Sequence, residues 1–287
     1  MILQRWARKP PPGARLNGAN PLTVGLCGWS ALEGAGSVVR NALPFDHLSP
    51  INSAGWAMGP EGPVLSFDAA SAHAWQKTSL SRTLHGSAAA TMAIRYKPTS
   101  LSTGGTNDYI MSFSTGGGGG NGFDFRQNDG NLLFDIATSG SDTVGPFSQP
   151  LTTEWHTAVL VFNGSDAGGT SYAFYHDGRL ATTDFINIFA TSTLDVSDNE
   201  VSIGDFGSVA HAYWSGQVAW AYYWPAVLTS QHARLLHERP YDLFAARQMY
   251  WDVPTAVVAG GQPTMKRWQQ VPFMRLGGVS MGHGGSF

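Results

Sequence analysis

The chain has 287 residues, of which 43% are hydrophobic, 12% aromatic and only 13% charged, with 35 glycines. That balance suits one all-β domain of about 200–250 residues with terminal extensions, and it disfavours long solvated helices. A net charge of −3 gives no reason to expect nucleic acid as a partner, the lone Cys27 excludes an intramolecular disulfide, and no run approaches the ~18 apolar residues of a membrane span.

The charge is unevenly placed. Arg5, Arg8, Lys9 and Arg15 precede the first acid, and Lys266, Arg267 and Arg275 follow the last. Removing those seven from the 17 Lys and Arg leaves ten bases against all 20 acids, so an acidic body of about −10 lies between basic ends. The start MILQRWARKPPPGAR lacks the apolar segment of a secretory signal, and synthesis in a cytoplasm is expected.

In chain order, residues 1–25 read as an extended arm, with Pro10 to Pro12 favouring a polyproline-like course. GPVLSFDAA (62–70), ATMAIRYKP (90–98) and YIMSF (109–113) have strand character. FDFRQNDGNLLFDIAT places Asp129-Gly130 between two alternating runs, a strong hairpin signal. EWHTAVLVFNG (154–164) closes on Asn163-Gly164, and SYAFYHDGRLA (171–181) turns at Asp177-Gly178. VSIGDF (201–206) and QVAWAYYW (217–224) are further strands, the latter apolar at both parities as in a strand covered on both faces. Pro225 ends it, and TSQHARLLHE (229–238) reads as one short helix capped by Thr229 or Ser230. These elements make an all-β, antiparallel β-sandwich over 26–251. Residues 252–287, rich in Pro, Gly and bulky apolar side chains without periodicity, read as an extended C-terminal arm.

The segments LSFDAA, TMAIRYKP, EWHTAVLVFNG, YHDGRLA, SIGDF and SGQVAWAYYWPAVLTSQHARLLHERPYDLF, in that order, resemble the laminin-G-like, concanavalin-A-like jelly-roll family over about Gly62 to Phe244. The resemblance implies that the Trp-His strand start is a scaffold element and Asp177-Gly178 its hairpin turn. His156 stands in a strand with no His, Cys or acid at metal-ligand spacing and reads as structural.

Glycosidases of this fold carry Glu-x-Asp-x-x-Glu on one strand, placing two carboxylates about 5 Å apart for a retaining mechanism. That triplet is absent. Acids fall singly at Asp124, Asp135, Glu154, Asp177, Asp184, Glu200 and Asp205, and no enzyme is expected. No cofactor or metal is expected either: a calcium site at Asp195, Asp198, Asn199 and Glu200 is weighed against a solvated turn, and the turn is preferred. The Gly116 to Gly120 run lacks the Gly-Lys-Ser/Thr of a phosphate loop. HAYWSG (211–216) is the leading exposed aromatic set, with Tyr213 and Trp214 as candidate platforms for a sugar; packing over the sandwich edge is the alternative and is preferred, since the core consumes most aromatics.

Arm, jelly roll and tail together resemble the laminin-G-like proteins encoded among structural genes of tailed bacteriophages, and RKPPPGARLNGANPLTVGL is similar to the start of that group. This implies a non-enzymatic virion accessory protein, a capsid decoration or cement or a head or tail appendage, made in the host cytoplasm. It would bind other virion proteins such as a major capsid protein, form a homo-oligomer, and need neither nucleic acid nor membrane. Its assembly contacts would be Trp6, Arg8, Lys9, Lys266, Arg267, Trp268 and Phe273. The alternative is a glycan-binding, lectin-like module for attachment to a host surface.

Overall fold

The computed structural model describes residues 9–10, 14–30, 37–39, 46–102, 107–114, 122–138, 142–164, 172–181, 193–196, 200–206 and 212–245. Trp6, Arg8, Lys266, Arg267, Trp268, Phe273 and the whole segment 252–287 lie outside them.

In chain order come β1 (Arg15–Leu16), β2 (Cys27–Ser30), β3 (Ser49–Ile51), β4 (Gly55–Gly59), β5 (Gly62–Phe67) and β6 (Ala74–Lys77). They are followed by β7 (Ala89–Pro98), β8 (Asp108–Ser114), β9 (Gly122–Asn128), β10 (Asn131–Ala137), β11 (Asp142–Pro150) and β12 (His156–Asn163). The series ends with β13 (Tyr172–His176), β14 (Arg179–Leu180), β15 (Val201–Ile203), β16 (Gly216–Trp224), the helix α1 (Ser230–Glu238) and β17 (Phe244–Ala245). Two antiparallel sheets face each other, the sandwich expected from the sequence. One has seven strands in the order β11-β10-β9-β8-β15-β6-β3; the other runs β14-β13-β12-β7-β16-β5-β4, with β2 also on β16.

Alternation decides what each sheet buries. Ala158, Leu160 and Phe162 of β12 and Met92 and Ile94 of β7 point between the sheets, where they meet Phe123 and Phe125 of β9 and Phe134 and Ile136 of β10. The opposite parity of the eight-stranded sheet, Val159, Val161, Trp220, Tyr222 and Trp224, forms a second apolar layer under α1 and the N-terminal segment. This sheet is therefore covered on both faces, and the two-sided apolar run of β16 follows from it.

The turns obey the local chemistry. Asp129-Gly130 and Asp177-Gly178 both take positive φ at each residue (46° and 73°, 48° and 74°), the type I′ geometry that two-residue hairpins require. Thr229 caps α1, and its hydroxyl accepts from the His232 N–H. The described part of residues 1–25 lies against the sandwich: Leu22 is buried, β1 pairs with β17, and the Lys9 ammonium donates to the Pro63 carbonyl. β2, β3, β4, β6 and β11 add strands that the sequence patterns do not single out. No helix among the described residues is long and apolar enough to cross a membrane.

Candidate functional site

The outer face of the seven-stranded sheet is polar where the opposite sheet is apolar. On β9 and β10 the inward residues are phenylalanines and aliphatics, so Asp124, Arg126 and Asp135 point outward. The Asp129-Gly130 turn sets the register at Asn128 opposite Asn131, which brings Asp124 opposite Asp135. Directly opposed residues have Cβ atoms about 4.5–5.5 Å apart. The acids of this hairpin are thus a pair, a correction to their reading as isolated residues. A strand-by-strand search for acidic triplets misses it, because the pairing belongs to two strands.

Arg126 answers the pair. Its guanidinium donates to Asp135 Oδ1 at 3.0 Å and to the Tyr109 hydroxyl at 3.1 Å. The whole group is buried, with Asp124 at 0% exposure, and neither Asp124 oxygen makes a hydrogen bond of ordinary geometry. Burial first, and Asp135 second, push the Asp124 carboxyl well above the usual carboxylate range; Arg126 and the Asp135 backbone pull the other way without prevailing. Burial works against the Arg126 cation, but Asp124 and Asp135 outweigh it and keep it charged. Tyr109 is pushed up to about 12, chiefly by burial. Arg126 and Asp135 form an ion pair, beside which burial and the Asp135 charge disfavour ionisation of Asp124. Sealed from solvent, these two carboxyl groups hold up the sheet face and do not present an acid and a base to a substrate.

Beside this network stand residues 204–206 and 212–216. Asp205 Oδ1 accepts from the N–H of Phe206 (2.8 Å) and of Ala212 (2.9 Å), joining the two. The Ser112 hydroxyl reaches the Phe206 carbonyl at 2.9 Å, and the Tyr109 N–H donates to Ala212 at 3.1 Å. The Phe206 ring stands 4.4 Å from the Tyr109 ring. Tyr213 stands next to this held base, half-buried, and its hydroxyl pKa is raised by burial and by Asp205.

Trp214 has the packing role preferred over a platform for sugar. It is 1% exposed, packed against Phe67 and Tyr96, with its indole N–H donated to Gln127 Oε1 at 3.2 Å. Gly216 makes this possible, since a Cβ there would come within 2.2 Å of the Trp214 ring. Of the two aromatic candidates, Tyr213 alone offers surface. Lys9, the one described member of the assembly set, is held by the Pro63 carbonyl and by its own N–H on Glu61 O at 3.0 Å. Of the calcium candidates, Glu200 is buried and accepts from Gln76, Asp195 faces His85 at 3.6 Å, and Asp198 and Asn199 fall outside the described residues.

A second polar group occupies one end of the eight-stranded sheet. His156 opens β12, His176 ends β13, and Asp177 begins the following turn. Asp177 Oδ1 accepts the Thr157 N–H at 2.8 Å, while Oδ2 lies 2.9 Å from His156 Nδ1 and 3.5 Å from His176 Nδ1. Burial drops His176 to about 4 despite Asp177. Burial would raise Asp177, but the His156 hydrogen bond and His176 overcome it and hold the carboxyl at about 2. The partners of His156 come from another strand, so its reading as a histidine without ligand-type neighbours is corrected.

No protein-family model and no curated protein matches the chain. Solved structures resemble it in fold. The binding domain of Paraclostridial Mosquitocidal Protein 1 superposes with a TM-score of 0.57 at 10% identity, over 75% of this chain and 52% of that one. Trypanosoma rangeli sialidase in complex with 2,3-difluoro-KDN gives 0.56 at 13%, over 80% and 36%. The binding domain of botulinum neurotoxin DC in complex with SialylT gives 0.53 at 9%, over 75% and 51%. The chain spans about half or less of the length of these proteins, and what it shares with them is a β-sandwich of jelly-roll type.

Proposed function

We propose that this chain is a glycan-recognising, lectin-like module that works by binding, with the surface around Tyr213 as its contact. The observation that carries the reading is the held base: a half-buried aromatic ring next to Ala212, which Asp205 and the Tyr109 N–H hold, with Phe206 held by Asp205 and Ser112. Sugar recognition needs a rigid ring to stack on and polar groups at its edge, and pre-ordering lowers the entropy cost of binding. The SialylT-bound toxin domain and the sialidase, which share the fold, support the choice of a glycan as ligand. The test is a glycan array that includes sialylated structures, probed with the full chain and with Tyr213→Ala. Binding reduced at least tenfold by the substitution is expected. An array without signal, or binding that Tyr213→Ala leaves unchanged, overturns the reading.

A second reading, a virion accessory protein, rests on the composition of the ends: seven bases without an acid, and the apolar anchors Trp6, Trp268 and Phe273. Apolar side chains on an extended segment gain stability by docking on another surface. A chain ending at Trp251 should then fail to join particles and run as a monomer where the full chain is an oligomer. Normal occupancy by the shortened chain removes this reading.

A further inference from the structure

We propose that His156, His176 and Asp177 form a binding site for a borderline divalent metal ion, with zinc the best-fitting ion. Among the described residues they are the one group of His, Cys and acidic side chains whose ligand atoms all lie within 4.8 Å of one another. A four-coordinate zinc with bonds of about 2.0–2.1 Å has ligand atoms about 3.3 Å apart along each edge. The separations from Asp177 Oδ2 to the two Nδ1 atoms, 2.9 and 3.5 Å, bracket that edge. Two imidazoles and one carboxylate favour zinc or its neighbours over calcium and magnesium, which take oxygen ligands.

The groups behind the ligands fit as well. Metal-bound histidines donate the N–H of the other ring nitrogen to an oxygen, which fixes their tautomer and aim. His156 Nε2 lies 2.9 Å from Thr152 Oγ1, and His176 Nε2 lies 3.4 Å from the Tyr96 hydroxyl. A hydroxyl can rotate to accept or to donate. When a metal displaces the proton that His156 Nδ1 shares with Asp177, that proton is placed on Nε2 and donated to Thr152, so a neutral ring needs no net proton loss. The Thr157 N–H occupies Asp177 Oδ1, which leaves Oδ2 to the ion in a monodentate mode. The imidazoles are nearly buried, with side chains 11% and 9% exposed, while Asp177 is 36% exposed and marks the way in. His237 Nδ1 lies 3.9 Å from Asp177 Oδ1 and 3.3 Å from Thr157 Oγ1, so a third imidazole stands next to the group. Because the three ligands come from the ends of β12 and β13, a bound ion would staple this hairpin.

The test uses the full chain, stripped with a chelator and titrated with zinc chloride by calorimetry, with cobalt(II) as an absorbing substitute. One equivalent should bind with a dissociation constant in the micromolar range or tighter, and cobalt should give the d–d bands of a tetrahedral site. His176→Gln and Asp177→Asn should each weaken binding at least tenfold, Thr152→Val should weaken it about tenfold through the lost ring partner, and His47→Ala should leave it unchanged. In ¹⁵N-histidine-labelled wild-type protein, two rings should show metal at Nδ1, a readout that does not depend on any variant folding. No saturable zinc binding, binding that His176→Gln leaves intact, or coordination through Nε2 overturns the proposal.

Discussion

The cluster on the seven-stranded sheet and the one at the end of the eight-stranded sheet are each made by two antiparallel strands beside an Asp-Gly turn, yet they treat charge in opposite ways. At Asp124, Arg126 and Asp135 the protein supplies its own cation and closes the group from water, and burial disfavours ionisation of the second carboxyl, Asp124. At His156, His176 and Asp177 the carboxylate stays ionised and partly open, faced by imidazoles of which His176 is held neutral by burial. The difference follows from position. The first group lies in mid-strand, under Tyr109 and Phe206, where desolvation dominates; the second lies where strands end and one oxygen still meets solvent.

The sharpest way to break this contrast is to remove the internal cation. Arg126→Met leaves two buried acids without a counter-charge and should cost about 3–5 kcal/mol of stability, read from the urea midpoint. Adding Asp124→Asn and Asp135→Asn to it should recover most of that loss. A cost below about 1 kcal/mol for Arg126→Met alone would mean that water reaches the pair.

The second group should respond less. Asp177→Ala removes acceptors for the Thr157 N–H and the His156 ring and places alanine at a φ of 48°, so about 2 kcal/mol of destabilisation is expected. Asn tolerates that backbone region and keeps one acceptor, so Asp177→Asn should cost about half as much. Equal losses for the two variants would assign the role of Asp177 to its charge instead.

A pH series distinguishes the groups more finely. Asp124 has a folded-state pKa raised above its unfolded value of about 4. Between those two values the native state holds a proton that the unfolded chain has released, so this residue's contribution is fully present below about pH 4 and is lost as pH rises through the folded pKa. Asp124→Asn keeps the neutral form at every pH. Its unfolding free energy should decline less from pH 4 to 8 than that of the wild type, and at neutral pH it should match or exceed it by about 1 kcal/mol. Parallel pH profiles would show that Asp124 is ionised in the native state.

Much of this was readable before any coordinates, and the boundary has a physical origin. Turn residues act locally, so Asp129-Gly130, Asp177-Gly178, Pro225 and the Thr229 cap announce themselves. The Asp124–Asp135 pair was also within reach, because a two-residue turn mirrors the chain about its centre and both acids stand five places from it. The His156 group was not: the Asp177-Gly178 turn joins β13 to β14, so it leaves the register of β12 against β13, which brings His156 near His176, unspecified. Nor was Trp214, whose burial depends on Phe67, Tyr96 and Gln127, brought from distant parts of the chain, and on the absent side chain of Gly216. Strands β3, β4 and β6 are short and hold their places through sheet neighbours more than through alternation of their own.

The smallest expected effect on stability falls on the residue with the most to say about function. Tyr213 is half-buried and next to a base held by Asp205, Ser112 and Tyr109, so Tyr213→Ala should shift unfolding by no more than about 1 kcal/mol. Trp214→Ala, one position along, should cost about 3–5 kcal/mol, because it empties a packed site between the sheets. Adjacent aromatics thus divide into one buried between the sheets and one that keeps exposed surface. If unfolding shows the two variants to be equally destabilised, Tyr213 is part of the core after all, and the sugar-stacking role must move elsewhere. If Tyr213→Ala costs little stability and loses glycan binding, the surface around Tyr213 is a recognition surface supported by Tyr109 and the buried Arg126 beside it.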